Sequence, residues 1–417
     1  MTEIPGGVCA PKGFMAGGVR CGIKPSTSQK KDLALIYSQK PCSAAAVFTT
    51  NKVKAACITL SQENIADGKL HAVIANSGNA NACTGQAGDD AAKRMAERAA
   101  NVLSINPSDV AVASTGVIGV PLPISVIEEN IETLKNSLRD DIKGHDAALE
   151  AIMTTDTRKK EVAVEFEIDG KCVRIGAMAK GSGMIHPNMA AAKHATMLAF
   201  ITTDAAITPS ALDECLSKAV KKSFNRVTVD GDTSTNDMAI IMANGEAGNQ
   251  IIENGEKRIE NDFYDFSRVL EFVCIELSCM IARDGEGATK LVTVTVSGAI
   301  SEEKAEILAK SVCSSSLVKA ACFGADANWG RVLCALGYSG IDFNPEKTSV
   351  CFKSKEGQIE VFKDGMPLSF SEENAKLILS QDEIEIYICL IEGEAAASVW
   401  GCDLTYDYVK INGDYRS

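Results

Sequence analysis

The residues best suited to chemistry in this 417-residue chain lie between Lys180 and Ala205. There Lys-Gly-Ser-Gly-Met-Ile-His-Pro-Asn-Met-Ala leads through small residues to Ala195-Thr196 and then into the apolar run Met197 to Ile201. A threonine hydroxyl is a weak nucleophile until a base takes its proton. If the chain is cut between Ala195 and Thr196, the new α-amine of Thr196 can be that base, because such amines titrate at about pH 8. One residue then supplies both nucleophile and base. Before cleavage the same hydroxyl can attack the Ala195 carbonyl, leaving an ester for water to hydrolyse. An arbitrary Ala-Thr pair more often marks only a β-branched residue opening a strand.

Other segments offer supporting chemistry. Ser114-Thr115-Gly116 follows the apolar run Val110 to Ala113. A hydroxyl and an amide freed by a glycine can stabilise a developing oxyanion. Ala151 to Thr157 sets three threonines around an acid, a pattern used for helix caps more commonly than for ligands. Glu286 stands in the glycine-broken Arg283-Asp-Gly-Glu-Gly287, where a loop charge can serve binding. The acidic stretch Thr228 to Asp237 lacks the glutamate that closes an EF-hand, so a calcium loop is rejected. With four histidines, His71, His145, His186 and His194, a His-rich metal site is not expected.

The elements that must position these groups read as a mixture. Strands are expected at Phe14 to Gly17, Leu33 to Tyr37, Ala44 to Thr49, Cys57 to Leu60 and His71 to Ala75, with Asn76 to Gly85 a turn of Asn and Gly. Glu161 to Ile168 alternates strictly and, through Asp169-Gly170, forms a hairpin with Cys172 to Met178 that delivers the chain to Lys180. Helical spacing marks Asp89 to Leu103, with acids in its first turn, then Ile124 to Leu134, Leu212 to Phe224, Phe266 to Met280 and Glu302 to Val312. Leu291 to Val296 reads as a strand and Phe323 to Arg331 as a loop. The end reads as strands at Val350 to Phe352, Ile359 to Phe362, Ile384 to Leu390 and Leu404 to Ile411. The pattern implies an α/β fold of the α+β kind, layered, with antiparallel or mixed sheets covered by helices. No Gly-x-Gly-x-x-Gly follows a strand and no Walker motif is present, which argues against a doubly wound nucleotide fold.

A chain this long, 46% hydrophobic, can bury two or three domain-sized cores. Its net charge of −13, without a basic stripe, argues against nucleic acid or an anionic membrane as partner. The fifteen cysteines show no Cys-x-x-Cys spacing, and several sit in apolar runs, as buried thiols in a reducing compartment do. No run is long enough for a transmembrane helix, and the N-terminus shows neither a signal nor a transit pattern. A cytoplasmic protein is expected.

The run from Lys180 to Ala190 together with Thr196 to Ala205 resembles the autoprocessing region of the ornithine acetyltransferase (ArgJ) family of arginine biosynthesis. Ala45 to Lys54, Asn76 to Gly85 and Phe323 to Arg331 are similar to it as well, and the resemblance runs from Gly13 to Ser417. One departure stands out: in the family the methionine-alanine pair is followed directly by the threonine, whereas here about five residues, Ala191 to Ala195, intervene. The resemblance implies an α/β/β/α sandwich cut into an α chain, residues 1–195, and a β chain, residues 196–417, assembling as two of each. It implies transfer of acetyl from N-acetylornithine to Thr196 and on to glutamate, with Thr115 and Gly116 as oxyanion hole. Thr154 or Thr155, Lys180, Thr196, Glu286, Asn412 and Ser417 would be the substrate contacts. No cofactor and no metal are implied, although acetyl-CoA is a candidate donor substrate; the chain shows no pyrophosphate loop of the common acetyltransferase type. Two rivals remain: an N-terminal-nucleophile aminopeptidase or amidase, with water as acceptor, and an unprocessed, inactive binding or structural protein.

Overall fold

The computed structural model describes residues 1–25, 27–186, 189, 197–254 and 259–414, leaving out the side chains of 259 and 260. The chain divides into two compact units: Met1–Gly181, Pro187–Asn225 and Thr233–Leu277 form the first, and Ser182–His186, Arg226–Asp232 and Ser278–Ser417 the second. Each unit carries one sheet, so the mixed α/β reading holds.

In the first unit nine strands, numbered along the chain, make a mixed sheet: β1 (Thr2–Glu3), β2 (Phe14–Val19), β3 (Leu33–Phe48), β4 (Lys69–Asn79), β5 (Val110–Val117), β6 (Lys160–Ile168), β7 (Lys171–Lys180), β8 (Leu198–Thr203) and β10 (Met238–Ala243). Their order is β1-β6-β7-β8-β10-β3-β4-β5, with β2 also on β3. The β6–β7 hairpin turns at Asp169 and Gly170, both left-handed. Strands β8 and β10 run parallel and are buried at every residue, which is why Leu-Ala-Phe-Ile-Thr-Thr and Met-Ala-Ile-Ile-Met-Ala read as continuous apolar runs rather than alternating ones. The helices of this unit are α1 (Ala56–Asn64), α2 (Gly85–Leu103), α3 (Ile124–Asn136), α4 (Ile142–Ile152) and α5 (Pro209–Lys222); α6 (Ile259–Arg283) follows. The α5 start is fixed by Thr208, whose hydroxyl accepts from Ala211 N, with proline at the first helical position.

Several expected elements change. Leu33 to Tyr37 and Ala44 to Thr49 are one strand, β3, whose first half pairs with β2 and whose second half pairs with β10. Its pairing with β4 slips between Tyr37 and Cys42, around the exposed Gln39, Lys40 and Pro41. Polar residues and a proline read as a turn there because an irregularity in a strand has the same composition. Cys57 to Leu60 is not a strand but part of α1, which buries Cys57, Ile58 and Ser61 at helical spacing; a four-residue apolar run does not separate the two periods. Asn76 to Asn79 completes β4, leaving the turn to the residues after it, where Asn81 and Cys83 have positive φ. Helix α2 starts at Gly85, so its acids fall beyond the first turn. No helix follows Ala151 to Thr157; the segment links α4 to β6.

The second unit holds a seven-stranded sheet, ordered β14-β13-β12-β15-β11-β16-β9. Its strands are β9 (Val227–Thr228), β11 (Leu291–Ala299), β12 (Ser349–Ser354), β13 (Gly357–Lys363), β14 (Met366–Pro367), β15 (Glu383–Cys389) and β16 (Ala395–Cys402). Burial alternates along β11 and β15, the mark of a sheet with one covered face. Its helices are α7 (Glu302–Ser314), α8 (Ser316–Phe323), α9 (Trp329–Gly337), α10 (Glu372–Leu379) and α11 (Tyr406–Gly413). Val294, Val296, Ile386, Ile388 and Val399 pack with Leu308 and Val312 of α7 in the core. Trp329 to Arg331 opens α9 instead of closing a loop, capped by Asn328. Leu404 to Ile411 is mostly helix, not strand: Thr405 caps α11, and Tyr, Val and Ile gave a strand-like composition to a helix that buries none of its residues.

Candidate active site

Ala195, Thr196 and Ser417 lie outside the described residues, as do Ala191 to His194. Their surroundings are described. Met197 is fully buried, and its carbonyl accepts from Met238 N at 2.9 Å, placing the residue after Thr196 beside the start of β10.

In the first unit the expected oxyanion pair and the expected lysine come together. Thr115 is 3% exposed and Lys180 4%. Lys180 Nζ donates to Thr115 Oγ1 at 3.2 Å. Four strands stand between β7 and β5 in the sheet, a separation of roughly 24 Å if it were flat. The contact therefore requires the sheet to curl strongly, and the slipped pairing between Tyr37 and Cys42 marks where β3 can bend. Gly116 has φ +132, and a Cβ there would overlap the backbone of Gly78 and Asn79. Only glycine lets β5 pass β4 so closely at this point.

A set of asparagines fixes this corner: Asn76, Asn79 and Asn81 belong to the segment expected as a turn, whereas Asn236 carries no local signal. Asn236 Nδ2 donates to Ser114 O at 2.8 Å and to Ala80 O at 2.6 Å, tying the approach to β10 to the peptide just before Thr115. Ser114 Oγ donates to Asn76 Oδ1 at 2.7 Å, and Asn76 Nδ2 to Asn79 O at 2.9 Å. Asn79 and Asn81 spend their amides on Val120, Pro121 and Gly88 carbonyls. The Asn-rich motif is thus committed to holding backbone.

Asp156, Lys160 and Lys180 are buried together. Asp156 Oδ1 receives Lys160 Nζ at 2.7 Å and Gly181 N at 2.7 Å, and its Oδ2 receives Thr154 N at 2.9 Å. Burial pushes the Asp156 carboxyl up, but the Lys160 and Lys180 charges and the Gly181 amide outweigh it and hold the group well below the usual carboxylate range. Thr154 and Thr155 are half-buried in the same segment.

Asp237 is fully buried, and neither carboxylate oxygen has a hydrogen-bond partner among the described residues. Burial raises its pKa well above the ordinary value, with Lys180 pulling the other way. Below about pH 4 both folded and unfolded Asp237 hold a proton; as pH rises the unfolded chain releases it first, so unfolding is favoured and stability falls. Asp237→Asn is therefore expected to melt with the wild type near pH 4 and to be the more stable protein at pH 8, by roughly 1 to 3 kcal/mol. Melting curves at both pH values check this, and a variant less stable at pH 8 would mean that the carboxylate has a partner it needs.

In the second unit Glu286 is 8% exposed and accepts from Asn412 Nδ2 at 2.8 Å, so these two expected substrate contacts meet. Asn412 is exposed on α11. Glu286 N donates to Ser182 O at 2.8 Å, and a Cβ on Gly183 would overlap the Glu286 carboxylate, which explains a glycine there. The acidic loop is committed: Asp230 accepts from Met184 N at 2.6 Å and Ile185 N at 2.9 Å, and Tyr408 OH lies 3.4 Å away.

Among the described residues one group, His145, Asp146 and Glu161, has metal-like spacing. His145 Nδ1 accepts from Val8 N at 3.2 Å and Nε2 lies 2.5 Å from Glu161. With both ring nitrogens engaged, the group is a structural clasp. The fifteen cysteines are free thiols, and burial pushes Cys42 and Cys313 up to about 12. Among the described residues no helix is long and apolar enough to cross a membrane.

The model of the ArgJ family matches residues 15–417. The chain belongs to the ArgJ family. It is 52% identical to the arginine biosynthesis bifunctional protein ArgJ 1 of Clostridium acetobutylicum, over 97% of this chain and 96% of that one. It is likewise 52% identical to the arginine biosynthesis bifunctional protein ArgJ of Symbiobacterium thermophilum, over the full length of both. The glutamate N-acetyltransferase of Methanocaldococcus jannaschii is 46% identical over the full length of both. As a member of this family the chain is an acyltransferase of arginine biosynthesis.

Proposed function

We propose that this enzyme moves acetyl from N2-acetyl-L-ornithine to L-glutamate through an acetyl ester on Thr196, releasing L-ornithine and N-acetyl-L-glutamate. The observation that carries the reading is the buried Lys180–Thr115 contact, which sets a charge and a hydroxyl beside Gly116. Two successive tetrahedral oxyanions, one per half-reaction, need such a site. Thr115 and Gly116 serve as the oxyanion hole, while Thr154 or Thr155, Lys180, Thr196, Glu286, Asn412 and Ser417 contact substrate. Acetyl-CoA is a further donor candidate.

The chain is processed between Ala195 and Thr196. Strands β8 and β10 of the second fragment pair with β7 and β3 of the first, so the cut leaves the first unit's sheet intact. The fragments stay together, two of each kind, in the cytoplasm. The five residues before Thr196 become the C-terminal end of the first fragment, where extra length is tolerated.

Exchange of labelled ornithine into N-acetylornithine, without glutamate, tests the acetyl-enzyme. Exchange is expected; its absence in an enzyme that turns over with glutamate present would remove the intermediate. Glu286 reads the ammonium group of ornithine. Glu286→Gln turns a charge-assisted hydrogen bond into a neutral one and is expected to cost roughly 1 to 3 kcal/mol in kcat/KM for the donor. An unchanged specificity constant would make Glu286 a loop charge only.

A further inference from the structure

The Asp156 carboxylate touches two segments that the proposed function assigns to substrate, at Thr154 and at the peptide following Lys180. We propose that Asp156 is a positioning residue for substrate: its carboxylate locks the Thr154-Thr155 segment to the Lys180 end of β7, so that hydroxyl and ammonium groups meet the substrate's carboxylate in one fixed arrangement. The inference rests on the reading of Thr154 or Thr155 and Lys180 as substrate contacts.

Three features support it. Among the described residues the buried carboxylate accepts from two backbone amides and one ammonium, at 2.7 to 2.9 Å. Backbone amides are fixed points, so accepting from both Thr154 and Gly181 defines the relative placement of the two segments, which neither strand pairing nor a helix does here. Lys160, which opens β6, has its Nζ on the same carboxylate, and it faces Ala179 in the hairpin register. Asp156 therefore closes the open end of the β6–β7 hairpin, where Lys180 leaves the sheet for Thr115.

Charge gives this arrangement a preference for anionic ligands. Among the described residues two buried lysines, Lys160 and Lys180, act on the Asp156 charge, and Lys180 also acts on the buried Asp237. With burial favouring the protonated form of the Asp237 carboxyl, the group of Asp156, Lys160, Lys180 and Asp237 carries more positive than negative charge. A buried surplus of positive charge favours a ligand that brings its own carboxylate. Both an N-acetylated amino acid and glutamate do so.

The test compares steady-state kinetics and melting of wild type, Asp156→Asn and Asp156→Asn/Lys160→Gln. The single variant leaves Lys160 as a buried charge without its carboxylate and is expected to melt earlier. The double variant removes both charges and is the deciding protein, because it is expected to recover melting temperature. If Asp156 positions substrate, the folded double variant shows kcat/KM for N-acetylornithine lowered by roughly 10²-fold, carried mainly by KM, and Asp156→Glu does not restore it. If Asp156 only stabilises the fold, the double variant recovers kcat/KM along with melting temperature, and the proposal falls. A loss confined to kcat with KM unchanged also overturns it. The wild-type arm keeps the two readings apart: a wild type that transfers no acetyl from N-acetylornithine refutes the function itself, whereas an active wild type with an equally active double variant refutes only the role of Asp156.

Discussion

Thr196→Ala is expected to give one full-length chain that transfers no measurable acetyl. The substitution removes the hydroxyl that attacks Ala195 during cleavage and the one that carries acetyl afterwards, and without cleavage the α-amine proposed as base never forms. Loss of a nucleophile that works as a unit with its base costs on the order of 10⁴-fold or more in turnover. The buried strand that follows, Leu198–Thr203, pairs with β7 and β10 through residues the substitution leaves unchanged, so the fold is expected to persist. Deleting Ala191 to Ala195 is expected to leave processing intact or improve it. Denaturing gels of the variants beside the wild type check both. A cleaved Thr196→Ala protein would place the scissile bond elsewhere.

Thr115→Ala is expected to lower kcat by roughly 10²-fold with KM for donor and acceptor nearly unchanged, because an oxyanion donor acts on charge that exists only in the transition state. The structure adds a stability term. Thr115 Oγ1 accepts from the buried Lys180 ammonium, so alanine removes one acceptor and is expected to cost about 1 kcal/mol in folding. Thr115→Ser keeps the hydroxyl and should recover most of both. Stopped assays of each half-reaction separate the cases. Unchanged turnover in Thr115→Ala would take Thr115 out of the mechanism.

How much of this was legible beforehand depended on whether a signal was local. The hairpin from Glu161 to Met178 could be read because its alternation and its Asp169-Gly170 turn are both encoded within a few residues. Helix α11 could not, since Tyr406, Val409 and Ile411 have strand-like composition and the deciding cap, Thr405, resembles any threonine. Residues named through resemblance met in pairs: Thr115 with Lys180, and Glu286 with Asn412. Of the residues that hold them in place, Asn236 carries no local signal and Asp156 carries a misleading one. Asn236 acts on a residue 122 positions away, and such a partner exists only once the sheet has curled. Asp156 was visible as an acid among threonines, a pattern that reads as a cap until the Gly181 amide arrives from 25 residues on.

Intact-mass spectrometry of the denatured wild type, before and after N-acetylornithine is added without glutamate, tests the acetyl-Thr196 mechanism most directly. The prediction is two fragments, residues 1–195 and 196–417, with the second gaining the mass of one acetyl group and losing it when glutamate follows. A single full-length chain that nevertheless transfers acetyl at an ordinary rate, or a 196–417 fragment that never gains acetyl while turnover proceeds, would contradict it.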